Sequence, residues 1–153
     1  MRKSALFLVL PLLLAAPAVT HGQGPGSVQA QTVDAIPPFV LGGLEEYRNK
    51  NLEDAVKIWL KGSALEGMWI NHRAEELRKF VENDGAFQSW ELMSVRTYSS
   101  RFRVLYLVLH FEKRPVFASF QVYRSDQGWI LLNNYAFNED PDKIVPACSV
   151  AVP

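Results

Sequence analysis

The stretch FRVLYLVLHF, from Phe102 to Phe111, decides the fold of this chain. Its alternate residues form two apolar sets: Phe102, Val104, Tyr106 and Val108, and Leu105, Leu107, Leu109 and Phe111. Side chains alternate across a strand, so the two sets point to opposite faces of a sheet. A strand with one solvated face is apolar only at every second position. The pattern therefore predicts a central strand that is covered on both sides.

Three further segments show the period-two patterns that are typical of strands. They lie at Ser89–Thr97, Val116–Arg124 and Trp129–Phe137. The connections between all four strands are short, and short connections join antiparallel neighbours. We therefore expect a four-stranded antiparallel meander. In its first strand, strict alternation places Leu92 and Ser94 on one face and Val95 on the other.

Helical spacing of apolar residues predicts three helices before the strands. The first opens at Pro37 and runs through Tyr47, although the pair Gly42–Gly43 weakens it. The second follows Asn51, whose side chain is expected to accept a backbone amide of the first turn, and it stops at Gly62. Each of these helices carries an apolar stripe for the core.

The third helix is expected to follow Ser63–Glu66, which matches a capping box, and to reach about Glu82. Its outer face is predicted to carry Arg73, Glu76 and Lys79. After the last strand, Asp140 is a candidate cap for a short helical turn over Pro141–Val145. Helices that precede an antiparallel meander must pack on one face of it, so the expected fold class is α+β.

The amino-terminal sequence has the features of a signal peptide at residues 1–18. Two basic residues precede an apolar run over Ala5–Ala16, which is too short to span a bilayer, and a small-x-small cleavage pattern ends at Ala18. The chain then divides into a flexible lead at 19–36, a single domain at 37–146 and a loose tail at 147–153. We therefore expect an exported protein, in the bacterial periplasm or secreted, with no membrane segment after cleavage.

The charge balance excludes one class of partner. Cleavage after Ala18 removes Arg2 and Lys3 and leaves 14 basic residues against 16 acidic ones. Phosphate backbones are bound by clustered Lys and Arg, and no such cluster is evident, so nucleic-acid binding is not expected. The single cysteine, Cys148, allows no disulfide within the chain, so the domain must be held by its core.

Helices followed by a long meander resemble the cystatin-like or nuclear-transport-factor-2-like superfamily, over about Pro37–Val145. The resemblance is carried by Arg103–Leu109 at the centre of the sheet. The ending, with Gly128-Trp129 leading into the Phe-Asn-x-Asp-Pro motif of Phe137–Pro141, is similar to small exported bacterial proteins of unassigned function. The resemblance implies a cone-like domain with a curved sheet. Members include isomerases, dehydratases, cyclases and non-enzymatic binders, so it implies no single activity.

Templates for common catalytic and metal sites are missing from the sequence. His72 has Glu75 and Glu76 at helical spacing, but charged helix faces are usually solvated surface. His110 has no identifiable acid partner. Tyr135 is a candidate hydroxyl donor, together with Tyr106 and Tyr123, yet the strand centres carry no Asp that would act as a base. We therefore assign no catalytic residue, no metal and no cofactor.

Aromatic residues favour a partly hydrophobic pocket between the sheet and the helices. Strand parity and the helix stripes select its candidate ligand-binding residues: Trp59, Tyr106, His110, Tyr123 and Trp129. We interpret the chain as a non-catalytic binding or interaction module for a small apolar ligand. Two alternatives stay open, namely a cofactor-independent isomerase or lyase and an envelope-assembly or chaperone-like subunit. A buried carboxylate beside a Tyr or His of the pocket would favour the enzyme.

The two-sided apolar strand also predicts a partner. The helices cover one face of the sheet, which leaves apolar side chains of the other face in need of cover. A symmetric homodimer through that face is the expected solution. The alternative is that the sheet curls tightly and the amino-terminal lead shields the remaining surface.

Overall fold

Three helices precede four strands along the chain, in the predicted order. The structure is a computed structural model that describes residues 35–146. The elements are α1 Pro38–Arg48, α2 Leu52–Leu60, α3 Ile70–Asp84, β1 Phe87–Thr97, β2 Phe102–Phe111, β3 Pro115–Ser125, β4 Gly128–Asn138 and a 3-10 helix at Pro141–Lys143. The signal peptide at 1–18 and the tail at 147–153, with Cys148, lie outside the described residues. So does the lead at 19–36, apart from Ala35 and Ile36, and Ile36 is buried in the core.

The four strands form one antiparallel sheet in the order β1-β2-β3-β4. Strand β2 lies inside it, and Leu105, Leu107 and Leu109 belong to the core cluster that the helices share. Val104 and Tyr106 belong to a second cluster on the opposite face, the outer face. The predicted α+β class and the two-sided burial of β2 are therefore confirmed.

A bulge in β1 changes the predicted parity of that strand. Leu92 pairs with Leu107 and Ser94 pairs with Tyr106, so Met93 is an extra residue opposite a single step of β2. A bulge re-aims every side chain that follows it. Val95 therefore joins Leu92 on the helix face, and Ser94 turns to the outer face, contrary to the strict alternation expected from the sequence.

Trp59 stands at the centre of the core between the helices and the sheet. Its indole is fully buried, and Nε1 donates to the carbonyl of Val40 at 3.1 Å. Its ring centroid lies 5.3 Å from that of Phe120 and 5.0 Å from that of Tyr135. Gly43 gives this indole its room, since a Cβ there would lie 2.0 Å from Trp59 Nε1. Gly43 is therefore required by the packing of α1 on α2.

The predicted start of the third helix is wrong. Ser63 and Glu66 do not form a capping box: Ser63 Oγ accepts from the amide of Leu65, and Glu66 Oε2 accepts from the amide of Gly62. The chain turns through residues 61–69, and helix α3 begins only after Trp69, whose φ of 60° lies in the left-handed region. Non-glycine residues adopt this region rarely, so the chain reverses before it can continue as a helix.

The predicted cap of α2 is also wrong. Asn51 occupies the N-cap position, but its side chain makes no capping hydrogen bond. Its Nδ2 instead donates to Glu46 Oε2 at 2.7 Å, across the turn from α1. The polar residue therefore stabilises the α1–α2 turn.

The chain covers part of its own outer face. Asp140 caps the 3-10 helix by accepting from the amide of Asp142 at 3.1 Å, as predicted. The chain then lays Ile144 and Val145 over Tyr106, and all three are at least nine-tenths buried. The sequence predicts that a partner or the amino-terminal lead covers this face. Within residues 35–146, the carboxyl-terminal segment supplies part of the cover.

Candidate functional site

The five residues predicted to line one pocket lie on opposite sides of the sheet. Trp59 and Trp129 pack on the helix side, in or against the main core cluster. Tyr106, His110 and Tyr123 lie on the outer face: Tyr106 and His110 share the parity of Val104 along β2, and Tyr123 pairs with Phe102. The structure therefore does not bring the five together.

The two tryptophans of the helix side make contacts within the domain. Trp59 is fully buried and hydrogen-bonded within the core. Trp129 is half-buried, and the guanidinium of Arg103 lies over its ring, 4.7 Å from the centroid. Such a cation–π contact covers the aromatic face. Both residues contribute to packing.

His110 has an acid partner that the sequence did not reveal. The bulge-containing strand β1 places Glu91 beside it on the outer face, with 3.2 Å between His110 Nε2 and Glu91 Oε1. The Glu91 side chain is 74% exposed, so the pair is a surface ion pair that contributes little to stability. Strand register, which is invisible in a single sequence, decides this contact.

A different site lies between α3 and the edge strand β4. It is a cleft of about 430 Å³, which we call the α3–β4 cleft. Its apolar lining consists of Leu77, Phe80, Tyr135, Ala136 and Phe137, and its polar lining of Arg73, Glu76, Lys79, Asn83 and Glu139. The volume falls within the range of cavities that bind small molecules. The cleft combines an apolar wall with charged groups on one helix.

The hydroxyl of Tyr135 is the unusual group of this cleft. The residue is 2% exposed, and its hydroxyl has no hydrogen-bond partner within the described part of the chain. Burial raises the pKa of Tyr135; the nearby Arg73 charge opposes this shift and the Glu76 charge adds to it. A buried polar group without a partner costs free energy unless something else binds it.

Arg73 and Glu76 form the charged part of the cleft. Arg73 Nη1 donates to Glu76 Oε2 at 2.8 Å, and the guanidinium carbon lies 5.5 Å from the ring centroid of Tyr135. His72 Nε2 approaches the other carboxylate oxygen of Glu76 at 3.4 Å. Both Arg73 and Glu76 also line a neighbouring cavity of about 360 Å³ beside Trp69. The ion pair therefore stands between two cavities.

The arrangement supplies a cation, a hydroxyl and an apolar wall, which are the elements of a site for an amphipathic molecule. The sequence predicts Arg73 and Glu76 on the outer face of α3 and Tyr135 as a candidate hydroxyl donor. The cleft itself is not predictable from the sequence, because the position of α3 against β4 depends on tertiary packing. The sequence does contain one sign of the helical wall of this cleft. Arg73, Glu76 and Phe80 follow each other at helical spacing, beside the core residue Leu77.

The unpaired hydroxyl gives a stability prediction with a matched control. We expect Tyr135→Phe to leave the free energy of unfolding unchanged or to raise it by about 1 kcal/mol, because it removes a buried group that lacks a partner. Tyr47, equally buried, donates its hydroxyl to the carbonyl of Leu77 at 3.0 Å. Tyr47→Phe should therefore lower stability by about 1–2 kcal/mol. Urea denaturation measures both, and equal losses would contradict the unpaired state of Tyr135.

Within residues 35–146, no three His, Cys, Asp or Glu side chains gather in a way that would hold a metal ion. The buried carboxylate of that range is Asp84, which is 2% exposed and bound by Arg114 rather than by a Tyr or His. No helix of the described range is long and apolar enough to cross a membrane.

No family model matches the chain, and no curated protein matches it in sequence. Its structure is similar to the crystal structure of a domain of unknown function from Nostoc punctiforme, described as having a cystatin-like fold. The two share 14% identity at a TM-score of 0.49, over 70% of this chain and 76% of that one.

Proposed function

We propose that this chain is a non-catalytic binding module that acts after export and holds a small, partly apolar molecule in the α3–β4 cleft. The observation that carries the proposal is the unpaired, buried hydroxyl of Tyr135 among the apolar residues of the cleft. A bound polar atom would give this hydroxyl its partner, and the apolar wall would gain from the removal of water.

The groups around the cleft favour binding over catalysis. A general base must be within hydrogen-bond reach of the proton that it takes. Glu76 lines the cleft, and it accepts a hydrogen bond from Arg73 at 2.8 Å. Asp84 is held by Arg114 and is not among the cleft-lining residues. Both acids already have a charged partner. The hydroxyl of Tyr135, in contrast, has no hydrogen-bond partner within residues 35–146.

The proposal predicts where an amphipathic probe binds. We expect 8-anilinonaphthalene-1-sulfonate, titrated into the ¹⁵N-labelled protein, to cause saturable amide shifts at Leu77, Phe80 and Ala136. These residues lie on the two walls of the cleft. Amides of the outer face, such as that of Val108, serve as the internal control and should stay in place. Shifts that are confined to the outer face, or that do not saturate, would contradict the proposal.

The module is also proposed to form a homodimer through the outer face. Ile144 and Val145 lie over Val104 and Tyr106, while Phe102 and Phe117 at the edge of this cluster are only partly buried. A second copy would bury that apolar remainder symmetrically. Sedimentation of the same sample measures the oligomeric state. We expect a dimer, and a monomer at all concentrations would contradict this part of the proposal.

A further inference from the structure

One end of the sheet, where the β1–β2 and β3–β4 hairpins turn, carries a group of arginines. We call residues 95–103 and 121–131 the arginine end; its basic residues are Arg96, Arg101, Arg103 and Arg124. We infer that this end docks the protein on a bilayer surface that carries anionic phospholipid headgroups. The surface is separate from the α3–β4 cleft, and the inference does not depend on the proposed function.

Strand register brings the four arginines together. Arg103 pairs with Val122, and Arg124 lies two residues further along β3. The amide of Arg124 donates to the carbonyl of Arg101 at 2.8 Å. Arg96 lies on the neighbouring strand, opposite the residue that follows Arg103. Neighbouring strands are about 4.8 Å apart, so three separate segments of the sequence place their positive charges at one end of the sheet.

The charges at the arginine end do not balance. Its four arginines face a single acidic residue, Asp126, which pairs with Arg101 at 3.0 Å. The α2–α3 turn approaches Ile130 at this end, and it brings Lys61 and Glu66, one charge of each sign. The excess of positive charge therefore remains, and it attracts a negatively charged surface.

The arginines of the strands are not used in ion pairs. Within residues 35–146, no carboxylate pairs with Arg96, Arg103 or Arg124. Arg96 and Arg124 are exposed, whereas Nε of Arg103 is buried, so Arg103 adds charge more than contact. A guanidinium binds phosphate through paired N–H donors, and phosphate is the anionic group of a phospholipid. The exposed arginines are therefore suited to headgroup contacts.

The arginines lie on both faces of the sheet, which decides the shape of the partner. Arg96 pairs with Val104 and shares its outer face. Arg103 and Arg124 share the helix face with the core residue Val122. A chain molecule that lay along one face would meet only part of this charge. A planar surface that meets the strands end-on reaches both faces at once, which favours a bilayer.

An exposed aromatic residue stands at the same end. Tyr98 is 53% exposed, and its ring stacks on that of Phe102 with 5.2 Å between the centroids. The guanidinium carbon of Arg96 lies 5.0 Å from the Tyr98 centroid. Tyrosine is enriched at membrane interfaces, where its ring lies at the level of the headgroups. Tyr98 is therefore placed to enter the headgroup layer while the arginines bind phosphates.

The test is sedimentation of the full chain with vesicles at low salt. We expect binding to equal parts of phosphatidylglycerol and phosphatidylcholine to be at least about thirtyfold tighter than binding to phosphatidylcholine alone. One arginine near an anionic surface strengthens binding about fivefold. The variant Arg96→Gln/Arg101→Gln/Arg124→Gln should therefore lose about thirtyfold, since Arg101 already shares its charge with Asp126. The apolar run over Ala5–Ala16 is present in every variant, so differences between variants report the arginine end.

The helices offer a matched control with the same loss of charge. Arg48, Lys57 and Arg78 are half-exposed cations that lie outside the arginine end. The variant Arg48→Gln/Lys57→Gln/Arg78→Gln should bind the anionic vesicles within about threefold of the wild type, because only the general charge of the protein changes. A loss equal to that of the first variant would overturn the inference, provided that circular dichroism shows both variants folded.

The remaining outcomes identify the partner. Equal binding of the wild type to the two kinds of vesicle would overturn the inference. So would tighter binding to a DNA duplex of about 20 base pairs than to anionic vesicles at the same phosphate concentration, which would assign the arginine end to nucleic acid. A preference for anionic vesicles that requires the three exposed arginines and fades with added salt supports docking on a bilayer.

Discussion

Gly43→Ala is expected to lower the free energy of unfolding by about 3 kcal/mol or more. The added Cβ would lie 2.0 Å from Nε1 and 2.4 Å from Cδ1 of Trp59, distances that packed atoms do not tolerate. Trp59 is fully buried, so it has no free volume to move into without displacing Phe120 or Tyr135. Overpacking of a core costs about 1–3 kcal/mol and sometimes more, and here it also strains a buried hydrogen bond.

The neighbouring glycine is a matched control for this substitution. A Cβ at Gly42 would lie 3.6 Å from Ile58 Cγ2, which is an ordinary van der Waals contact. Gly42→Ala should therefore stabilise α1 by up to about 1 kcal/mol, as alanine does in a helix. Urea denaturation of both variants measures the difference, and equal midpoints would show that α1 does not pack on Trp59 as described.

Trp59→Ala is expected to cost about 3–5 kcal/mol, the range for removal of a large aromatic side chain from a core. The change leaves a cavity between the helices and the sheet and deprives the carbonyl of Val40 of its donor. The sequence predicts Trp59 as a ligand-binding residue. In the structure it is a core residue. The main effect of the substitution should therefore be a loss of stability and not a loss of ligand affinity at the α3–β4 cleft.

Trp69 provides the control for the loss of an indole. It is 68% exposed, and Trp69→Ala should change stability by no more than about 0.5 kcal/mol. Far-UV circular dichroism during guanidinium titration follows both variants without relying on tryptophan emission. A loss at Trp69 comparable to that at Trp59 would contradict the assigned burial.

The fold was predictable where periodicity and burial agree. Strand β2 matched its predicted bounds, and the two apolar sets of Phe102–Phe111 fall on the two faces as expected. Predictions failed where one residue changed the register or ended an element. The bulge at Met93 reversed the later part of β1, and the left-handed Trp69 delayed α3, because both depend on contacts that a local pattern does not contain.

The candidate site was less predictable than the fold. Strand parity puts Tyr106 and His110 on one face of β2, but the sequence does not say which face the helices cover. The α3–β4 cleft arises where a helix meets an edge strand far along the chain. Arg73 and Tyr135 are brought together only by that packing, so no spacing in the sequence marks them as partners.

The order of elements along the chain has a kinetic consequence. The strands pair only with their neighbours in sequence, so the sheet has short loops to close and low contact order. The helices, however, are complete at Asp84, while the surface that buries Trp59 ends with β4 at Asn138. During synthesis the amino terminus emerges first, so the apolar faces of α1 and α2 stay exposed until the last hairpin has formed. Docking of the finished helices onto the finished sheet is the step at which this protein is most vulnerable to aggregation.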